Sequence, residues 1–232
     1  MTKVQTGLDR IQEGLWRSLK GYKIGLLANQ ASVDSGFNTA KEIIVQRLPG
    51  QLKALFGPQH GYGGEDQDNM VETDHSYDET SSLPVFSLYA DKREPLPDML
   101  DMLDVLLIDL QDVGTRVYTF TSTMLNCIRL AAKADKKVII LDRPNPLGGE
   151  ILEGNLLQPE FFSFVGPYSF PMRHGLTMGE MAQIYNDVFE LHCNLEIIPM
   201  NGWRRNMLWC QTGLRWMMPS PNMPLVETAS VY

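Results

Sequence analysis

The sequence predicts an α/β fold, doubly wound around a mostly parallel sheet, and three observations carry that expectation. Short, wholly apolar runs such as Val105-Leu106-Leu107-Ile108 and Val138-Ile139-Ile140-Leu141 read as strands covered on both faces. Stretches with helical spacing separate these runs, so strand and helix alternate along the chain. Each run also stops at a polar or Gly/Pro cluster of the kind that turns a chain at the end of a strand.

Taken in order, residues 22–29 form the first strand and residues 39–45 the helix that follows. Residues 52–56 form a second strand, stopped by Gly57-Pro58, and a long polar loop over 57–83 leads to a third at 84–89. A loop of that length inside a compact domain points to function. Residues 97–103 read as a short helix with Pro97 in its first turn, 104–109 as a strand, 118–134 as a helix and 137–142 as another strand. Beyond Gly148-Gly149 the pattern loosens. A helix over about 177–190 opens on a capping box of Thr177 and Glu180, and a strand follows at 195–198. Residues 203–232 are rich in Trp, Met and Pro, lack a clear period and are not expected to close a core alone. These shifts divide the chain into an α/β domain over 1–165 and, over 166–232, a connecting helix and strand with the start of a smaller, truncated second domain.

Composition narrows the possible partners. With 28 acidic against 20 basic residues and a net charge of -8, the chain has no basic stripe for a phosphate backbone, which excludes nucleic acid. No apolar run is long enough to span a membrane, and Met1-Thr2-Lys3-Val4-Gln5 lacks a signal-peptide core, so the chain as written is expected in the cytoplasm. Cys127, Cys193 and Cys210 are too few and too scattered for a disulfide framework or a zinc cluster.

In an open α/β sheet a ligand binds outside the carboxyl ends of the strands. Reading the sequence there gives Asn29-Gln30, then Gln59-His60-Gly61, then Asp109 with Gln111, Asp112 and Arg116, and Asp142-Arg143-Pro144-Asn145. Asp and Asn in such places also cap helices and hold turns. Charges that directly follow an apolar run are expected to be partly buried and therefore paired, which makes Asp109, Arg116, Asp142 and Arg143 candidates for ion pairs. The densest cluster, from Gly57 to Asn69, offers His60, Glu65 and Asp66 as acid-base groups between glycines. Its glycine spacing fits neither a P-loop nor a dinucleotide fingerprint. His60, Asp74, His75 and Asp78 could in principle hold a metal, but no helix-spaced His pair appears among them and surface loops often collect such residues by chance, so no metal is expected. His174 precedes a helix amino terminus, and Asn222 is the strong polar side chain of Pro219-Ser220-Pro221-Asn222-Met223-Pro224.

Several of these stretches, in order, resemble the exo-β-N-acetylmuramidase family. They are Thr6-Gly7-Leu8-Asp9, Gly25-Leu26-Leu27-Ala28-Asn29-Gln30, Phe56-Gly57-Pro58-Gln59-His60-Gly61, Ser87-Leu88-Tyr89, Asp109-Leu110-Gln111-Asp112-Val113-Gly114-Thr115-Arg116, Leu141-Asp142-Arg143-Pro144-Asn145-Pro146, His174-Gly175-Leu176-Thr177 and Ser220-Pro221-Asn222-Met223-Pro224. The resemblance implies a Rossmann-like domain joined to a smaller carboxyl-terminal one. It also implies release of terminal N-acetylmuramic acid from peptidoglycan fragments, a small carbohydrate substrate, and no cofactor or metal. Members of the family often carry an export signal.

The same resemblance places a catalytic Glu where this chain has Gln59, and an amide cannot act as a general acid. Another carboxylate could take over, the substrate could differ, or the chain could bind sugar without cleaving it. Glycoside hydrolysis needs two carboxylates about 5 to 9.5 Å apart, so Glu65 with Asp109 or Asp142 is the expected pair, beside Gln59 and His60. Arg143 and Arg173 are expected to hold the substrate's lactyl carboxylate. Asn29, Gln111, Arg116, Asp142, Asn145, His174 and Asn222 complete the expected binding set. Next to the enzyme stand a sugar-binding module without catalysis and, third, a metal-dependent hydrolase.

Overall fold

The computed structural model describes residues 3–64, 75–89 and 93–232. Among the described residues one sheet contains β1 (Ile24–Ala28), β2 (Leu52–Gly57), β3 (Ser76–Asp78), β4 (Leu83–Ser87), β5 (Val105–Asp109), β6 (Lys137–Leu141) and β7 (Leu195–Ile198). Their order is β3-β4-β2-β1-β5-β6-β7, with β3 antiparallel to β4 and every other pairing parallel. Without β3, the order is the 3-2-1-4-5-6 of a Rossmann sheet, and its switch point falls between β1 and β5.

Helices cover both faces, as the buried strands require. On one side α1 (Gly7–Glu13) and α2 (Ala40–Arg47) lay Leu8, Ile11, Ile43 and Ile44 against Ile24, Leu26 and Leu107. On the other, α3 (Pro97–Asp101), α4 (Phe120–Lys133) and α5 (Met178–Val188) pack against Leu27, Leu106, Ile108 and Ile140. Gly25 admits the second layer closely, because a Cβ there would meet Leu103 Cδ1 at 2.4 Å. The expected capping box of Thr177 and Glu180 starts α5, and Thr39 with Glu42 starts α2 in the same way.

Three parts of the chain differ from the sequence expectation. Residues 7–13 form α1, whose two turns are too short to show a period but carry their own capping box, Thr6 with Asp9. The polar loop after β2 contains the short edge strand β3, and its residues 65–74, Glu65 included, lie outside the described residues. Residues 203–232, with the single turns α6 (Trp209–Thr212) and α7 (Val226–Ala229), lie across the carboxyl ends of the strands. Asn29 Nδ2 donates to Pro219 O (2.8 Å), Gln30 Nε2 to Met218 O (3.0 Å), and Met223 and Ala229 join the α4 side of the core. Such a segment packs residue by residue, which is why no period marks it. Upstream, β7 pairs with β6 and extends the same sheet, and α5 packs on that sheet.

Two carboxylates brace the rim that these elements create. Asp109, fully buried at the end of β5, accepts Arg143 Nε (2.6 Å) and Nη2 (2.7 Å), one on each oxygen. Arg143 also donates to Val33 O (3.0 Å), and Ser32 Oγ donates to the Asp109 carbonyl. The fork therefore joins the ends of β5 and β6 to the loop after β1. Burial pushes the Asp109 carboxyl up while the guanidinium pulls it down. Asp142, one residue past β6, sits under the amino terminus of α5. It accepts Gly179 N (2.8 Å), Arg143 N (3.0 Å) and Thr177 Oγ1 (3.0 Å), and Gly179 lets it approach, since a Cβ there would meet Asp142 Cγ at 3.0 Å.

Removing one member of the buried pair leaves the other charge unpaired. Asp109→Asn is expected to lower unfolding free energy by about 3–5 kcal/mol in urea titration. A loss below about 1 kcal/mol would show that the fork does not hold the rim. Burial pushes Asp142 up to about 6 from an ordinary 3.8. The folded state thus binds this proton more tightly than the unfolded chain does, so its contribution is complete below pH about 4 and is lost as pH rises through about 6. Relative to Asp142→Asn, the unaltered protein should lose about 2 kcal/mol of stability between pH 4.5 and 7.5. A pH-independent difference between the two would contradict the assignment.

Candidate functional site

The loop that leaves β2 turns back at once. A Cβ on Gly57 would meet Tyr62 N at 2.7 Å, so only glycine allows the return, and Gly61 N closes the turn on Pro58 O (3.1 Å). His60 is held at φ +74°, in the left-handed region that non-glycine residues avoid, and it is followed by Gly61 at φ +81°. Such strain persists where the surroundings over-determine it, commonly at a binding site. The turn sets Gln59 and His60, both nearly buried, at the carboxyl edge of the sheet.

A cleft opens there between three chain segments. Gln59 and His60 form one wall, Tyr118, Thr119 and Phe120 at the start of α4 form the second, and Ser220, Asn222 and Tyr232 form the third. Thr119 Oγ1 donates to Gln59 Oε1 (2.9 Å), which leaves the amide nitrogen as the end of Gln59 with hydrogens to offer. Tyr118 packs on Phe120 (centroids 4.6 Å apart) and edge-on to Tyr232 (6.1 Å). The lining is polar and aromatic, and among the described residues it includes no Asp or Glu side chain. Its cavity volume of about 30 Å³ makes it a narrow notch within this chain.

Of the residues expected at the site, the structure brings Gln59, His60 and Asn222 to this cleft. Asn29 stands beside it and pins the third wall through Pro219, with its own Oδ1 accepting Ala31 N (3.0 Å). Glu65 lies outside the described residues. Asp109, expected as a catalytic carboxylate, has both oxygens in the Arg143 fork and no exposed surface, a geometry that removes it from proton transfer to a bound ligand. Asp142 likewise spends its oxygens on α5, so neither partner proposed for Glu65 faces the cleft.

The arginines are committed as well. Arg143 is held by Asp109, and Arg173 by Glu153 (2.6 Å) and the Leu147 carbonyl, so they do not form the expected clamp for a carboxylate. Arg116 donates to Asn155 O (3.1 Å) and Phe170 O, and Asn145 bridges Leu147 N (3.0 Å) and Leu176 O (2.9 Å), which ties the long loops to the sheet edge. His174 Nδ1 accepts Leu176 N (3.1 Å), and its Nε2 lies 3.2 Å from Asp112 Oδ2 without hydrogen-bond alignment. Gln111 donates to Asp112 O (2.7 Å) and Pro144 O (2.9 Å) and borders a second small hollow with Arg143, Thr6 and Trp209.

Sequence reasoning missed Tyr118, Thr119, Ser220 and Tyr232. Tyr118 and Thr119 lie at the junction of the β5 loop and α4, where the strand-end rule applies, but helical spacing absorbed them. Ser220 was read only as part of the motif that carries Asn222, and nothing in the sequence placed Tyr232, because it arrives from the segment without a period. Among the described residues no three His, Cys, Asp or Glu side chains gather as metal ligands, and no helix is long and apolar enough to cross a membrane.

Comparison with known proteins adds to this geometry. A family model described as "Exo-beta-N-acetylmuramidase NamZ, N-terminal" matches residues 24–227. The chain is 42% identical over 230 residues to the peptidoglycan beta-N-acetylmuramidase NamZ of Bacillus subtilis (strain 168), a match that covers 99% of this chain and 55% of that protein. Two crystal structures of DUF1343 family proteins from Bacteroides fragilis NCTC 9343 superpose on it. One has a TM-score of 0.90 at 37% identity, covering 99% of this chain and 58% of that one, and the other a TM-score of 0.84 at 27% identity, covering 100% and 60%. The chain thus spans little more than half the length of these relatives. By the family match and by its identity to the Bacillus protein, this chain belongs to the exo-β-N-acetylmuramidase NamZ family, in its N-terminal part.

Proposed function

We propose that this chain forms the sheet-edge part of a glycosidase site that releases terminal N-acetylmuramic acid from peptidoglycan fragments. The observation that carries the reading is the cleft beside Gln59 and His60, on a chain 42% identical to a peptidoglycan β-N-acetylmuramidase. Its lining suits a sugar, because neutral amides and hydroxyls match ring hydroxyls and an acetamido group, while Phe120 and Tyr232 offer apolar area to ring carbons. The amino terminus of α4 borders it and favours an electron-rich oxygen. In this reading His60 and Gln59 orient the sugar. Glu65, six positions beyond Gln59 and no longer paired with Asp109, is the carboxylate proposed for proton transfer.

A second reading, sugar binding without cleavage, is favoured by one observation: Gln59 occupies the cleft, and no described lining residue is Asp or Glu. One experiment separates the two. Purified protein incubated with a muropeptide disaccharide is expected to release free N-acetylmuramic acid, followed by mass spectrometry. Glu65→Gln is expected to reduce that release by about 100-fold or more, the scale of losing a general acid, while binding of the disaccharide persists. Binding with no release by the unaltered protein would favour the second reading, and release undiminished in Glu65→Gln would remove Glu65 from the chemistry.

A further inference from the structure

Most polar groups at the rim have a partner, and the exceptions are informative. The hydroxyl of Tyr118 is buried and meets hydrogen-bond geometry with none of the described residues, although the side chain lines the cleft. Its position is set by packing. The ring lies against Phe120 at 4.6 Å between centroids and against the edge of Tyr232 at 6.1 Å, so the oxygen cannot swing away to find water without breaking both contacts. Ser220 is close to the hydroxyl but off alignment, and the negative charge of Asp112 also acts on it. Asp112 is itself fixed by Gly114 N (2.7 Å).

A buried donor left without an acceptor is unfavourable, and folded proteins tolerate it mainly where something else completes the bond. Burial, with Asp112 adding to it, drives the phenol well above its ordinary range, so the group keeps its proton at any working pH and acts as a donor. The neighbouring Gln59 has already used its oxygen on Thr119. The side chain that lines the cleft thus carries a fixed O–H whose near neighbour, Ser220, is out of line with it.

We propose that Tyr118 is a substrate-contacting residue of this site, its hydroxyl donating the hydrogen bond that seats a sugar oxygen between Gln59-His60 and Ser220-Asn222. The proposal rests on the reading that the cleft receives a sugar and adds the group that fixes the sugar's orientation. Phe at this position keeps the ring, and with it the contacts to Phe120 and Tyr232, and removes only the donor. Tyr118→Phe and the unaltered protein are compared by calorimetric titration with N-acetylmuramic acid, by turnover of a chromogenic N-acetylmuramide, and by thermal unfolding. Binding and kcat/KM are expected to fall by roughly 10- to 100-fold, the usual scale for a lost buried hydrogen bond, at an unchanged unfolding temperature. Values within about twofold of the unaltered protein would overturn the proposal. So would a loss matched by a lower unfolding temperature, since the hydroxyl would then serve packing. If the unaltered protein neither binds nor cleaves the sugar, the glycosidase reading itself fails and this inference with it. That outcome differs from equal binding by the two proteins, which sinks Tyr118 alone.

Discussion

The fork between Asp109 and Arg143 is the contact on which the carboxyl edge of this sheet depends. Parallel strands end in loops that diverge, and the switch point between β1 and β5 is where they diverge most. A single guanidinium there reaches the carboxylate at the end of β5 and the Val33 carbonyl in the loop after β1, while its own backbone follows β6. Charges buried this deeply are tolerated only with such complete pairing. The pair therefore behaves as part of the scaffold, and the loops it joins inherit its rigidity.

The other rim residues extend the same scheme. Asp142 anchors α5, Asn145 and Arg173 tie the segment after Asn145 to the residues before α5, and Asn29 holds the carboxyl-terminal segment across the strand ends. Asn29, Asn145 and Arg173 each bond the backbone of a loop that has no ladder of its own, and Asp142 bonds the first turn of a helix. What remains for a ligand is the small cleft at Gln59 and His60, where a strained turn, the start of α4 and the third wall converge. A site made of fixed groups loses little freedom when a ligand arrives, which suits the recognition of a hydroxyl-rich molecule.

The strands and the helices over 40–47, 120–133 and 178–188 were legible because wholly apolar runs and helical spacing follow from burial on two faces and one face respectively. Helix α1 was not, since seven residues hold too few turns for a period, and β3 was not, since three exposed residues carry no apolar signal. At the site, the strand-end rule found Gln59, His60 and Asn29 but ranked Asp109, Asp142 and Arg143 beside them. A sequence presents a carboxylate at a strand end in the same letters whether it faces solvent or a guanidinium, and only the partner's position in space separates the two.

By itself, then, the sequence determined the α/β alternation, the edge of the sheet where polar residues collect and the family likeness, because these depend on neighbours along the chain and on ordered motifs. The tertiary structure decided which of those polar residues are spent as braces and which line the cleft. It also decided that Tyr118, Ser220 and Tyr232, from segments about a hundred residues apart, share that cleft with Gln59. The physical reason is that pairing and burial are properties of groups brought together by folding, and a hydrogen bond between distant segments leaves no trace in local order.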